Sequence, residues 1–247
     1  MIVTVTANPA IDRLLTLDEP LVRGVVGRTA APVDQPGGKG VNVARVVAAA
    51  GQDVVAVFPA PVHDSFVTAV EATGLTHVAV PTRSRARVHL TLAEGDGTTP
   101  KLTAPGAELS VDELDRLTQQ IVDASTGAAW VVLSGSLPPG VPDDWYAHLS
   151  RTLRPAGTKV AVDASGAPLH ATLAAPDAAP DLVKPNAHEV VELVGGDADA
   201  IEADPVLAAE TAQRVRREFG PAAVLLTLGA SAAALATKHG SRPAPSP

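Results

Sequence analysis

Apolar residues in this chain come in short runs alternating with amphipathic stretches, which predicts strand and helix in turn along most of its length. Strands are predicted at Ile2 to Thr6, Val54 to Phe58, Val78 to Val80, Trp130 to Leu133, Val160 to Asp163, Leu182-Val183 and Ala223 to Leu228. Helices are predicted from Val43 to Ala50, Asp64 to Thr73, Ser110 to Asp123, Asp143 to Leu153 and Pro205 to Phe219, with a further one carrying Glu189. Ser110 followed by Glu113 is a capping box, which marks where its helix starts. Strand, helix and strand in units this short predict parallel pairing through right-handed crossovers. Ala232 to Thr237 reads as one more strand, and Ser241 to Pro247 as a tail too rich in proline to fold.

One region breaks the pattern. Val88, Leu90 and Leu92 alternate with His89 and Thr91, Glu94-Gly95-Asp96-Gly97 makes a turn, and Lys101 to Thr103 runs back. This predicts an antiparallel hairpin with one solvated face, and such an insertion in a parallel α/β chain suggests a lid. Leu14 to Leu17 and Gly24 to Val33 alternate more loosely and lead into Pro36-Gly37-Gly38-Lys39-Gly40-Val41-Asn42.

That glycine stretch opens a helix. Glycines let a ligand approach the backbone, and the first turn of a helix offers unpaired N–H groups and a positive dipole end, which suits an anionic or hydroxyl-rich ligand. Lys39 adds a mobile positive charge and Asn42 a side chain that both donates and accepts hydrogen bonds. The stretch lacks the Gly-Lys-Ser/Thr of a Walker loop and the Gly-x-Gly-x-x-Gly of a dinucleotide fingerprint. By itself it reads equally well as a turn that packs a helix closely on a sheet.

Composition narrows the picture. With 247 residues the chain can bury one sizeable core, and 46% hydrophobic but only 2% aromatic residues mean a core of Val, Leu and Ala. A net charge of −8 argues against nucleic-acid and membrane-surface partners, both of which require a basic face. The absence of cysteine excludes disulfides, thiolate metal sites and a cysteine nucleophile. With no signal peptide and no run long enough to span a bilayer, the expectation is a cytoplasmic protein. Asp12, Ser134 to Ser136, Asp163, Asn186 and Thr227 are read as the polar ends of strands, which a parallel sheet gathers along one edge.

Four stretches in order carry a resemblance: Asn8-Pro9-Ala10-Ile11-Asp12, Pro36 to Arg45, Leu133-Ser134-Gly135-Ser136-Leu137-Pro138-Pro139-Gly140, and Lys184-Pro185-Asn186-Ala187-His188-Glu189. Together they resemble the PfkB, or ribokinase-like, carbohydrate kinases, and within them the 1-phosphofructokinase and tagatose-6-phosphate kinase branch. The resemblance implies an αβα sandwich with a mostly parallel central sheet over about residues 1–240, and a small β lid from about 12–35 and 85–104. It implies transfer of the ATP γ-phosphoryl group, with Mg²⁺, to a sugar phosphate. Fructose 1-phosphate comes first, with tagatose 6-phosphate or fructose 6-phosphate as alternatives, and a homodimer through the lid is expected.

By position, the resemblance implies that Asp12, Gly38, Lys39 and Asn42 hold sugar hydroxyls, and that Arg87 and Ser136 hold the phosphate the substrate already carries. Lys184, Asn186, Thr227 and Gly229 would serve the nucleotide, and Glu189 would organise Mg²⁺ through water. The family's Gly-Ala-Gly-Asp, whose Asp is the base, is not found; Gly195-Gly196-Asp197 reads as a helix end and turn. The expectation is therefore a shortened kinase lacking its C-terminal catalytic segment, or a sugar-phosphate binding protein without transfer. Other departures are Ala232 where the nucleotide loop usually has glycine, His89 where the lid usually has Asn, and Phe58-Pro59-Ala60-Pro61 after the second strand.

Overall fold

The computed structural model describes residues 1–229 and 232–245. Its first half holds β1 (Ile2–Thr6), β2 (Ala10–Thr16), β3 (Val33–Gly37), α1 (Lys39–Ala49), β4 (Val54–Pro59), α2 (Ser65–Ala72) and β5 (His77–Val80). Then come β6 (Arg87–Ala93), β7 (Lys101–Leu102), α3 (Val111–Ala124), β8 (Trp130–Ser134), α4 (Trp145–Leu153), β9 (Lys159–Asp163) and α5 (Gly166–Leu173). The remainder is β10 (Leu182–Val183), α6 (Ala187–Val194), α7 (Ala198–Ala203), α8 (Pro205–Phe219), β11 (Ala223–Leu228), β12 (Ala232–Thr237) and β13 (Gly240–Pro245).

The main sheet runs β13-β12-β11-β10-β9-β8-β1-β4-β5, parallel from β5 to β11 and antiparallel from β11 to β13. Strand alternation divides its side chains between two layers. Val3, Val5, Val57, Val131, Leu133, Val160 and Val162 pack with α3, α4, α5, α6 and α8 on one face. Ala56 and Phe58 turn the other way and pack with Val41 and Ala44 of α1 and Phe66 and Val70 of α2. On that second face β1, β8 and β9 present Thr4, Thr6, Ser134 and Asp163, all buried. A polar strip inside a sandwich is the mark of a place where something other than core is gathered. Among the described residues no helix is long and apolar enough to cross a membrane.

The second sheet has the order β3-β2-β6-β7. β6 and β7 form the antiparallel hairpin, and β2 adds to β6 in parallel, with Asp12 directly opposite His89. Two buried carboxylates fasten the segment leading into β6. Asp64 accepts the N–H groups of Phe66 and Ala86, and Glu113 accepts those of Ser110 and Arg83. These donors hold Glu113 below the usual carboxylate range.

Three expectations need correction. Asp12 lies inside β2 of the small sheet and not past the end of a main-sheet strand: Pro9 breaks the chain after β1, and Ala10 to Thr16 start afresh against β6. The proline-rich tail folds as β13 as far as Pro245, while Ser246 and Pro247 lie outside the described residues. Pro243 and Pro245 stand two apart on an edge strand, so both missing N–H groups fall on the same side of the ladder, the side that needs no partner. Helices α5 and α7 add to the expected set; they are eight and six residues long, too short for a clear period.

Candidate active site

Two clusters of polar side chains form, one on the small sheet and one at the ends of the main-sheet strands. Backbone packing builds the first. Gly38, the N-cap of α1, has φ +103°, and a side chain there would press on Thr6. A Cβ on Gly40 would fall on the Val5 carbonyl oxygen, and one on Gly37 would strike the Asp12 carboxylate. Three glycines thus allow the start of α1 to be pushed against β1 and β2. No side chain caps this helix and its first turn carries no acidic residue, so its positive end is left for a ligand.

Arg87 opens β6 and reaches back towards the main sheet. Its Nη1 donates to the Ala104 carbonyl at 2.8 Å, and its Nη2 lies 3.2 Å from the Asn8 carbonyl and 3.3 Å from Ser136 Oγ. Its Nε is buried without a partner. Burial holds the Arg87 pKa below its ordinary value, with Asp12 opposing the shift. Asn8, only 5% exposed, bridges from Pro105 to Ser136 with its own amide. A desolvated guanidinium with spare donor capacity beside a hydroxyl is a site for an anion.

The loop that carries Ser136 is held from behind. Gly135, at φ +96°, donates to the Asp163 carbonyl at 2.9 Å and accepts the Tyr146 hydroxyl at 3.1 Å. Burial pushes the Tyr146 pKa above its ordinary value, so this donor keeps its hydrogen. On the small sheet, His89 Nδ1 contacts Asp12 Oδ1 at 3.1 Å.

The second cluster follows β10. Asn186 and Glu189 cap α6 reciprocally: Asn186 Oδ1 accepts the Glu189 N–H and Glu189 Oε2 accepts the Asn186 N–H, each at 2.9 Å. Thr227 donates its N–H to Pro185, and Gly229 follows β11 at φ +56°. Asp163 joins the clusters. Its Oδ1 holds Lys39 Nζ at 2.9 Å and its Oδ2 holds Lys184 Nζ at 3.2 Å, with the Asp163 side chain 11% exposed. Asn42 does not join either contact network; it is exposed on α1 and lines an open groove with Arg45, Thr73 and Leu75. Gly195 ends α6 and Asp197 caps α7, so that string is a connection between helices.

The family model for pfkB family carbohydrate kinases matches residues 5–247. This chain belongs to that family. It is 38% identical over 208 residues to a 1-phosphofructokinase of Xanthomonas campestris pv. campestris, covering 81% of this chain and 65% of that protein. With a 1-phosphofructokinase of Haloferax volcanii the identity is 36% over 241 residues, 96% of this chain and 73% of the relative. With the ATP-dependent 6-phosphofructokinase isozyme 2 of Escherichia coli it is 33% over 233 residues, 91% and 74%. The chain therefore spans about two thirds to three quarters of the length of these curated relatives. The crystal structure of Escherichia coli phosphofructokinase-2 in complex with fructose-6-phosphate superposes with a TM-score of 0.87 at 29% identity, covering 97% of this chain and 78% of that one. The two-sheet α/β architecture is thus the ribokinase-like fold of this carbohydrate kinase family.

Asp163, Asn8 and His89 are members of the site that the sequence motifs do not assign to it. Asp163 stands out in the sequence only as a polar strand end. One of its lysines lies 124 residues earlier and the other, Lys184, follows β10, a pairing that strand order alone creates. Asp163→Asn is expected to release both lysines and to lower the melting temperature by about 2–4 °C, because two partly exposed ion pairs are worth about 1 kcal/mol to the fold. Unchanged melting in a calorimetric scan would remove the link between the clusters.

Proposed function

We propose that this chain carries the substrate sites of an ATP-dependent sugar-phosphate kinase, with fructose 1-phosphate as acceptor and fructose 1,6-bisphosphate as product. The observation that carries this reading is the Arg87, Ser136 and Asn8 anion site lying beside the Asp12 carboxylate and the glycine-built start of α1. A phosphorylated sugar fits that pairing, since its phosphate takes a fork of charged donors and its hydroxyls take a carboxylate, an amide and free backbone N–H groups. Neutral sugars would leave the desolvated Arg87 unmatched. The higher identity to a 1-phosphofructokinase than to the Escherichia coli isozyme 2 favours fructose 1-phosphate over fructose 6-phosphate.

In this reading Asp12, Gly38, Lys39 and Asn42 hold sugar hydroxyls, while Lys184, Asn186, Thr227 and Gly229 serve ATP. Mg²⁺ keeps several waters and takes few protein carboxylates. Among the described residues no three His, Asp or Glu side chains gather to hold a metal. The donors fit an ion carried by the nucleotide phosphates, with Glu189 ordering its water, and do not fit a metal caged by protein. Leu14, Val33, Val88 and Leu102 are exposed on the small sheet, and the reading includes a homodimer through that lid and a cytoplasmic setting.

One observation favours a second reading, binding without transfer: Asp163, between the two clusters, has both oxygens engaged by lysines. The test is ADP release by the purified chain with Mg-ATP and fructose 1-phosphate, beside an Asp12→Ala version that exposes any contaminating kinase. Slow release, lost in Asp12→Ala, is the expected result, because the family's Gly-Ala-Gly-Asp base is not found in this chain. Calorimetric binding of fructose 1-phosphate without release would establish the second reading, and absence of both would overturn each.

A further inference from the structure

His89 stands opposite Asp12 across β2 and β6, with Nδ1 3.1 Å from Oδ1. A carboxylate only accepts, so at this contact Nδ1 carries the hydrogen. Nε2 is buried and has no hydrogen-bond partner, so a second hydrogen there would be an unsatisfied donor. The charged groups facing the ring are Asp12 on β2, Arg87 on β6 and Lys101 on β7; β3 sets uncharged Gln35 opposite Asp12. Burial and then Arg87 lower the His89 pKa, against the pull of Asp12. On its other side the Asp12 carboxylate meets Gly37, with Oδ2 as the atom nearest to the space a Cβ would fill.

We propose that His89 is the positioning residue for Asp12: a neutral imidazole with its hydrogen on Nδ1 that fixes Oδ1 and leaves Oδ2 at the glycine loop for a sugar hydroxyl. The role toward a sugar rests on the sugar-phosphate reading above; the tautomer and the contact with Asp12 do not. Without His89 the carboxylate, whose side chain is 38% exposed, is free to rotate, and each sugar bound must then order it. An Asn amide at this position would lie where Nδ1 lies and donate in the same direction, so His89→Asn keeps the contact with Asp12.

The experiment combines ¹⁵N-edited NMR of the histidine rings with calorimetric binding of fructose 1-phosphate to the wild type, His89→Asn and His89→Leu. The resonance lost in His89→Asn identifies His89, and at pH 7 it should show the Nδ1–H tautomer. His89→Leu should bind about ten- to hundredfold more weakly, the loss of a hydrogen bond to a charged group, whereas His89→Asn should stay within about threefold of the wild type. If His89→Leu melts early, His89→Gln, whose amide reaches the Nε2 position, replaces it with the same weakening expected. Equal binding by the folded Leu or Gln variant, or an Nε2–H tautomer, overturns the proposal. A wild type that shows the Nδ1–H tautomer but binds no sugar phosphate overturns the kinase reading and the sugar role of His89, leaving the ring contact standing.

Discussion

Arg87→Met is expected to weaken binding of fructose 1-phosphate by about a hundredfold while the protein stays folded. The guanidinium is partly desolvated, and it meets only neutral acceptors: the carbonyls of Ala104 and Asn8 and the hydroxyl of Ser136. The cost of that burial is already met in the free protein, so a phosphate arriving there gains an interaction with little further desolvation. Truncating one member of such a charge pair costs about 2–5 kcal/mol, and the middle of that range exceeds a hundredfold. Arg87→Lys should fall between, because a point charge replaces a fork. Calorimetry with fructose 1-phosphate checks both, and an unchanged affinity in Arg87→Met would place the phosphate elsewhere.

Gly40→Ala should lower the melting temperature by about 6–12 °C. A Cβ at this position meets the Val5 carbonyl, which is backbone in the middle of the main sheet, and Thr6 Oγ1. Neither a strand nor the first turn of α1 can move without disturbing the pairing of β1 with β4 and β8. Overpacking of this kind costs about 3 kcal/mol, at about 2–4 °C per kcal/mol for a chain of this size. Gly95→Ala is the control: nothing lies within 4 Å of its Cβ and its backbone is ordinary. Equal melting of the two variants in a calorimetric scan would show that α1 does not sit as closely on β1 as described.

Much of the site is legible in the sequence because its parts are local. Asn186 and Glu189 stand one helical turn apart, and a capping box is written in the order of its residues. The glycines of residues 37–40 mark a close approach whatever they approach. Asp12 is harder, since Ala10 to Thr16 has only a loose alternation, and one of its two partner strands, β6, lies more than seventy residues away. Ala10 and Asp12 turn to one side of β2 and Ile11 to the other, where Ile11 joins the core with Phe58 and Phe66.

By itself the sequence determined the repeated strand and helix order, the hairpin of β6 and β7, the glycine-built start of α1, and the family to which the chain belongs. Each follows from residues near one another: apolar period, caps, turns and contiguous motifs. Only the tertiary structure decided that β2 pairs with β6 in parallel and in this register, that β13 forms, that Asp163 ties Lys39 to Lys184, and that His89 meets Asp12. These rest on strand neighbours and register, which arise from burying both faces of a sheet at once and leave no local trace.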